Sequence, residues 1–100
     1  MKLHVSADDV ELTPEIEEIV NKKLIEKIEK FFVRYPEDTV TLKLFIKKGA
    51  RWGFVVKCDL DIPGENIHSE EKHKELEYAV VALSHELVRR LRKKKEKALN

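Results

Sequence analysis

Seven bases and one acid lie between Arg89 and Lys97. So many like charges in nine residues repel one another unless something negative compensates them, and phosphate is the common biological choice. Arg89, Arg92, Lys93 and Glu96 recur at three- and four-residue spacing. On a helix they form one ridge, whose three cations can follow a nucleic-acid backbone. A solvated helix end also attracts cations, which oppose the negative end of the helix dipole, but two or three are enough for that purpose. Lys22, Lys23, Lys27 and Lys30 make a second basic set, interleaved with Glu26 and Glu29. Pairs along a helix, such as Glu26 with Lys30, account for much of this second set as ordinary solubility.

Constellations for catalysis are scarce. His4, His68, His73 and His85 are scattered, and none stands at zinc-ligand spacing from another or from Cys58. With only Gly49, Gly53 and Gly64 there is no glycine-rich phosphate loop, and no serine is flanked as a nucleophile elbow requires. Asp59 and Asp61 share a strand face, where such pairs are usually solvated. These residues predict a protein that binds and is not an enzyme, with no catalytic residues, no metal, no cofactor and no small-molecule substrate.

Charged residues make up 39% of the chain, yet 20 bases nearly cancel 19 acids, so net charge predicts no partner. Their distribution does. Asp8, Asp9, Glu11, Glu15, Glu17 and Glu18 crowd the first twenty residues, whereas the last dozen are mostly Arg and Lys, a separation that marks a binding face. No apolar run is long enough for a membrane span, and the N-terminus lacks the order of a signal peptide, which predicts a cytoplasmic protein with no membrane partner. The single Cys58, in an apolar run with Phe54, Val55, Val56 and Leu60, predicts burial and fits a reducing compartment.

The elements that position these groups follow from periodicity. One hundred residues predict a single domain over 1–100. Lys2 to Ser6 alternate as a half-buried strand, β1. Thr13-Pro14-Glu15 then offers an N-cap, a proline at the first helical position and acids against the dipole. Ile16, Ile19, Val20, Leu24, Ile28, Phe31 and Phe32 carry a first helix to about Phe32, and Pro36 supports its stop. In β2, Thr39 to Lys47, the residues Val40, Leu42, Leu44 and Ile46 face one way. After the Lys48-Gly49-Ala50-Arg51 connection, Trp52, Phe54, Val56, Cys58, Leu60 and Ile62 occupy alternate positions of β3, with Trp52 expected on the inward side. Pro63-Gly64-Glu65-Asn66 turns into a short β4 around Ile67. Leu76, Ala79, Val80, Leu83, Leu87 and Leu91 give a last helix from about Lys74, whose helix-favouring residues continue past the end of its apolar stripe. The fold class is α+β, ordered β-α-β-β-β-α, a four-stranded sheet with two helices on one face. The other face would carry Lys2, His4, Lys43, Phe45, Lys47, Lys57 and His68.

Several segments combine into a resemblance. Lys2-Leu3-His4-Val5, Val10-Glu11-Leu12-Thr13, the Gly64-Glu65 turn with Ile67-His68, and the run from Arg89 to Lys97 occur in the order and spacing that resembles the ribosome hibernation promoting factor and ribosome-associated inhibitor family. The resemblance covers essentially the whole chain. It implies a fold similar to double-stranded-RNA-binding domains, seated in the decoding region of the small ribosomal subunit, where messenger and transfer RNA would lie. It further implies rRNA binding through helix bases. Arg89, Lys93, Lys95 and Lys97 stand where the family's final helix has bases, and Lys23, Lys27 and Lys30 match bases of the first helix, which carries one extra residue in this chain. Arg92, on the ridge with Arg89 and Lys93, joins this candidate RNA-binding set.

There are also departures. The family's acidic, aromatic and Ala-Ile-Asp run is replaced by Glu75-Leu76-Glu77-Tyr78-Ala79-Val80-Val81, and Glu86 stands where a base is common. The chain ends soon after the last helix, so the expectation is a short form without the C-terminal domain that long members use to dimerise, monomeric when free. The expected function is translation inhibition on the small subunit during stress or stationary phase. The alternative is a generic RNA-binding or protein-interaction module of the same fold with another partner.

Overall fold

The computed structural model of the chain describes residues 1–99, with side chains through residue 95. Four strands form one sheet in the order β1-β2-β3-β4: Lys2–Asp8, Thr41–Lys48, Phe54–Ile62 and Glu65–His73. β1 and β2 are parallel, so the chain between them must cross over, and it does so through the first helix. The other neighbours are antiparallel hairpins. In the two-residue connection between β3 and β4, Pro63 precedes Gly64 at φ +82°, the residues and left-handed glycine of a type II turn.

The first helix occupies 14–32 and is wound unevenly. The Thr13 hydroxyl accepts the Ile16 N–H at 3.2 Å and Pro14 opens the helix, as capping chemistry requires. An α-helical Pro14–Val20 passes into a π-helical Asn21–Ile25, a short α-turn Glu26–Ile28 and a 3-10 turn Glu29–Phe32. The Glu26 N–H reaches the Asn21 carbonyl, five residues back. A physical reason lies in the apolar pattern. Val20, Leu24, Ile28 and Phe32 are all buried at strict four-residue spacing. An α-helix turns once in 3.6 residues, so a four-residue stripe drifts about 40° at each step unless the helix is underwound. The π-turn supplies that underwinding and also takes up one extra residue.

The last helix, Leu76–Leu99, packs beside the first on the same sheet face. Val40, Leu42, Leu44, Ile46, Val56, Cys58, Leu60, Ile62 and Ile67 from the sheet meet Leu24, Ile28, Ala79, Val80, Leu83 and Leu87, all buried. Burying each such aliphatic side chain is worth about 1.5–3 kcal/mol. Leu91 is the last buried residue among the described side chains, and the helix backbone runs eight residues further, about 12 Å.

Two expectations are corrected. Trp52 is not on the inward side of β3. It is 55% exposed, because the strand begins only at Phe54. Gly53 at φ +70° breaks the alternation that would have carried the indole inward. β4 is not short but nine residues long, although only Ile67 along it is buried. As an edge strand it is charged on both sides, which hides it from an apolar pattern and protects it from pairing with other chains. On the open face, Val55 is 9% exposed, flanked in register by Lys47 and Lys72, whose aliphatic stems suit a cover over it.

Candidate nucleic-acid interface

The end of the first helix and the overhang of the last helix converge into a groove of about 1030 Å³. Phe31, Phe32, Val33, Tyr35, Ile62 and Leu91 contribute its apolar surface, and Lys30, Arg34, Arg92, Lys94 and Lys95 its charge. Among the described residues, no acid lines it. The first helix ends at Phe32, the chain follows the groove rim through Val33–Tyr35, and Pro36, at φ −56° and ψ 139°, then takes it out of helical backbone. The Phe32 and Tyr35 rings meet edge to face at 6.1 Å, and the Lys30 ammonium lies 5.6 Å from the Phe31 ring centroid. Packed aromatics therefore fix the wall that presents Lys30 and Arg34.

The opposite wall stands beyond the core and is tethered by polar contacts. Lys94 Nζ pairs with Glu65 Oε2 at 2.8 Å, joining the overhang to the start of β4. One turn earlier, Arg90 donates to the His68 carbonyl and, through Nε at 2.9 Å, to Glu86. Glu86 also accepts two hydrogen bonds from Arg89, at 3.1 and 2.7 Å, and this fork draws the Glu86 carboxyl down to about 2. The same bonds raise the Arg89 guanidinium. Two guanidiniums on one carboxylate leave the cluster with one net positive charge.

The predicted bases are thus divided. Lys30, Arg92 and Lys95 come together in the groove. Arg89 is exposed but engaged with Glu86, and Lys93 is exposed outside the groove lining. Lys27 is exposed on the first helix, and Lys23 lies 3.9 Å from Glu77 Oε1 of the last helix. The Lys97 side chain lies outside the described residues. Arg34 and Lys94 complete the groove without having been singled out in the sequence. Arg34 stands in an aromatic segment, Phe31-Phe32-Val33-Arg34-Tyr35, just before Pro36, where a cation reads from sequence only as a helix-end residue.

Chemically the groove suits RNA, since cations on both walls can hold successive phosphates while the apolar floor receives sugars and unstacked bases. Among the described residues, no group of three or more His, Cys, Asp or Glu is placed to hold a metal ion. No helix among them is long and apolar enough to cross a membrane.

Residues 3–98 match the family model of the sigma 54 modulation protein / S30EA ribosomal protein. The chain belongs to this family. Within it, the chain is 31% identical over 97 residues to the ribosome hibernation promoting factor of Pseudomonas putida, covering 97% of this chain and 89% of that protein. The ribosome hibernation promoting factor of Klebsiella oxytoca is 29% identical, again over 97 residues, with 97% and 96% covered. Among solved structures, a ribosomal subunit interface protein from Coxiella burnetii superposes with a TM-score of 0.77 at 20% identity over 96% of this chain and 99% of that one. The N-terminal domain of Thermus thermophilus Protein Y gives 0.71 at 18% identity over 93% and 98%. These two likenesses show the fold of this chain, a four-stranded sheet with helices.

Proposed function

We propose that this protein is a cytoplasmic, ribosome-associated translation inhibitor, monomeric when free. It binds the rRNA of the decoding region of the small subunit and excludes messenger and transfer RNA without chemistry. The groove carries the reading. Among the described residues five cations gather where the two helices converge, one of them, Lys94, paired with Glu65, in a chain whose net charge is only +1. Such local concentration serves a polyanion, and it occurs in a family whose relatives are named for ribosome hibernation. Arg89, Lys93, Lys23 and Lys27 would widen the contact along the exposed helix faces, with Lys97 extending it beyond the described side chains. Binding alone suffices for inhibition, because a ligand that occupies a site lowers the affinity of any competitor for it by mass action.

The test is sedimentation with purified small and large subunits through a sucrose gradient at low salt. Co-migration with the small subunit is expected. A protein that stays at the top of the gradient, or travels only with the large subunit, is a module for another partner.

A further inference from the structure

At the end of the sheet away from the groove, the connection between β2 and β3 displays the chain's single tryptophan. Trp52 is 55% exposed, and the Lys72 ammonium of β4 lies 4.8 Å from its ring centroid. Leaving an indole in water forgoes one of the largest burial gains a side chain offers.

The loop that presents it is closely built. The Gly49 N–H donates to the Gly53 carbonyl at 2.9 Å, closing the loop at its base. A Cβ on Gly49 would lie 2.2 Å from the Trp52 carbonyl oxygen. Gly53 has φ +70°, and a Cβ there would lie 2.4 Å from the His73 carbonyl oxygen. On both sides of Trp52 the backbone makes approaches that only glycine permits. The indole therefore stands on a preorganised support, and a partner pays little ordering entropy.

Cations surround it. Lys48, Arg51, Lys72 and Lys74 are exposed and Lys47 is half-buried. Register brings Lys48 and His73 to either side of Phe54, and Lys47 and Lys72 to either side of Val55. Asp8 faces Lys47 across the parallel pair. Among the described residues, however, no carboxylate lies within ion-pair distance of Lys47, Lys48, Arg51, Lys72 or Lys74, in contrast to Lys22, Lys57 and Lys94, which are paired.

We propose that Trp52 is a stacking platform for an unpaired RNA nucleobase, with the flanking phosphates held by Lys48, Arg51 and Lys74. An aromatic face set among unneutralised cations is the arrangement that holds single-stranded nucleic acid, since every base has a π-face and every linkage a charge. This is a second contact, independent of the groove. The span of β3 separates the two by roughly 27 Å, eight residue steps of an extended strand. A structured RNA can bridge that distance with an unpaired nucleotide at one end and backbone at the other.

The tryptophan is its own reporter. The full chain is titrated with a single-stranded RNA of about ten nucleotides and with a duplex of the same composition. Trp52 emission is read alongside the anisotropy of labelled RNA. Saturable quenching by the single strand and little by the duplex are expected. Trp52→Ala should weaken single-strand binding by about tenfold, while Trp52→Phe keeps most of it. A groove variant in which Arg92 and Lys95 are Gln should keep the quenching, which separates this site from the groove. Four results would overturn the proposal: no quenching; equal quenching by the duplex; Trp52→Ala affinity within about twofold of wild type in a protein that melts normally; or loss of quenching in the groove variant. If Trp52→Ala leaves oligonucleotide affinity intact but loses ribosomes, the platform serves an acidic protein surface and the nucleobase assignment fails.

Discussion

Replacing Lys30, Arg34, Arg92 and Lys95 together by Gln removes four of the five cations that line the groove and leaves Lys94 to hold its wall against Glu65. If each of the four neutralises one phosphate, each releases condensed counterions and contributes about 0.7–0.9 to the slope of log affinity against log salt. The variant's slope should therefore be shallower by about 3 to 4 units. Between roughly 50 and 200 mM salt the wild-type affinity for small subunits should fall by about a hundredfold more than the variant's. The fold should survive, since all four side chains are exposed or border solvent and none is hydrogen-bonded to a buried group. The largest expected cost is the Lys30–Phe31 contact, about 0.5–1 kcal/mol for an exposed cation over a ring. The assay is equilibrium binding of labelled protein to small subunits across that salt range, beside a thermal melt. A folded variant with the wild-type slope would refute the reasoning, because the groove cations would then touch no phosphate.

Other consequences follow from burial and from side-chain pairing. Cys58 is 4% exposed, and burial pushes its thiol up to about 11, so it should react with thiol reagents only on unfolding; rapid native labelling would contradict its place in the core. Because this pKa is raised on folding from 9.0, the unfolded chain loses the proton first. Stability should be full below pH 9 and fall between pH 9 and 11 by up to about 1.4 kcal/mol per unit, a loss that Cys58→Ala should abolish in alkaline melts. Glu86→Gln should cost no more than about 1 kcal/mol, as for exposed pairs, while freeing Arg89 and Arg90 and raising RNA affinity at low salt; unchanged affinity would mean that neither guanidinium faces RNA. Leu83→Ala, at a fully buried position on the last helix, should lower the unfolding free energy by about 2–5 kcal/mol in denaturant titrations.

Where apolar residues alternate against a buried face, the fold was legible. Val40 to Ile46 and Phe54 to Ile62 run inward at every second position because helices cover that face, and Thr13-Pro14 fixes a helix start by local chemistry alone. Legibility failed where water, not the core, sets the pattern. β4 has a single buried side chain, so its nine residues left almost no apolar trace. The β3 alternation extended too far, to Trp52, because Gly53 adopts a left-handed backbone that no period predicts. For the interface, the basic run at the C-terminus was visible, but its convergence with 30–35 is a tertiary fact. Arg34 became part of the groove only once the first helix was seen to stop against the overhang of the last. The four-residue stripe of Val20, Leu24, Ile28 and Phe32 did contain the π-turn in outline, since no straight α-helix buries all four equally well.

The central claim is exclusion from the decoding region by occupancy, and competition on isolated small subunits tests it most directly. Subunits programmed with messenger and labelled initiator transfer RNA are titrated with the protein, and bound label is counted on filters. Transfer RNA should be displaced as the protein saturates the subunit, and excess transfer RNA and messenger should displace the protein in turn, since the linkage between competing ligands is reciprocal. Protein and transfer RNA bound together on the same subunit at saturation would contradict it.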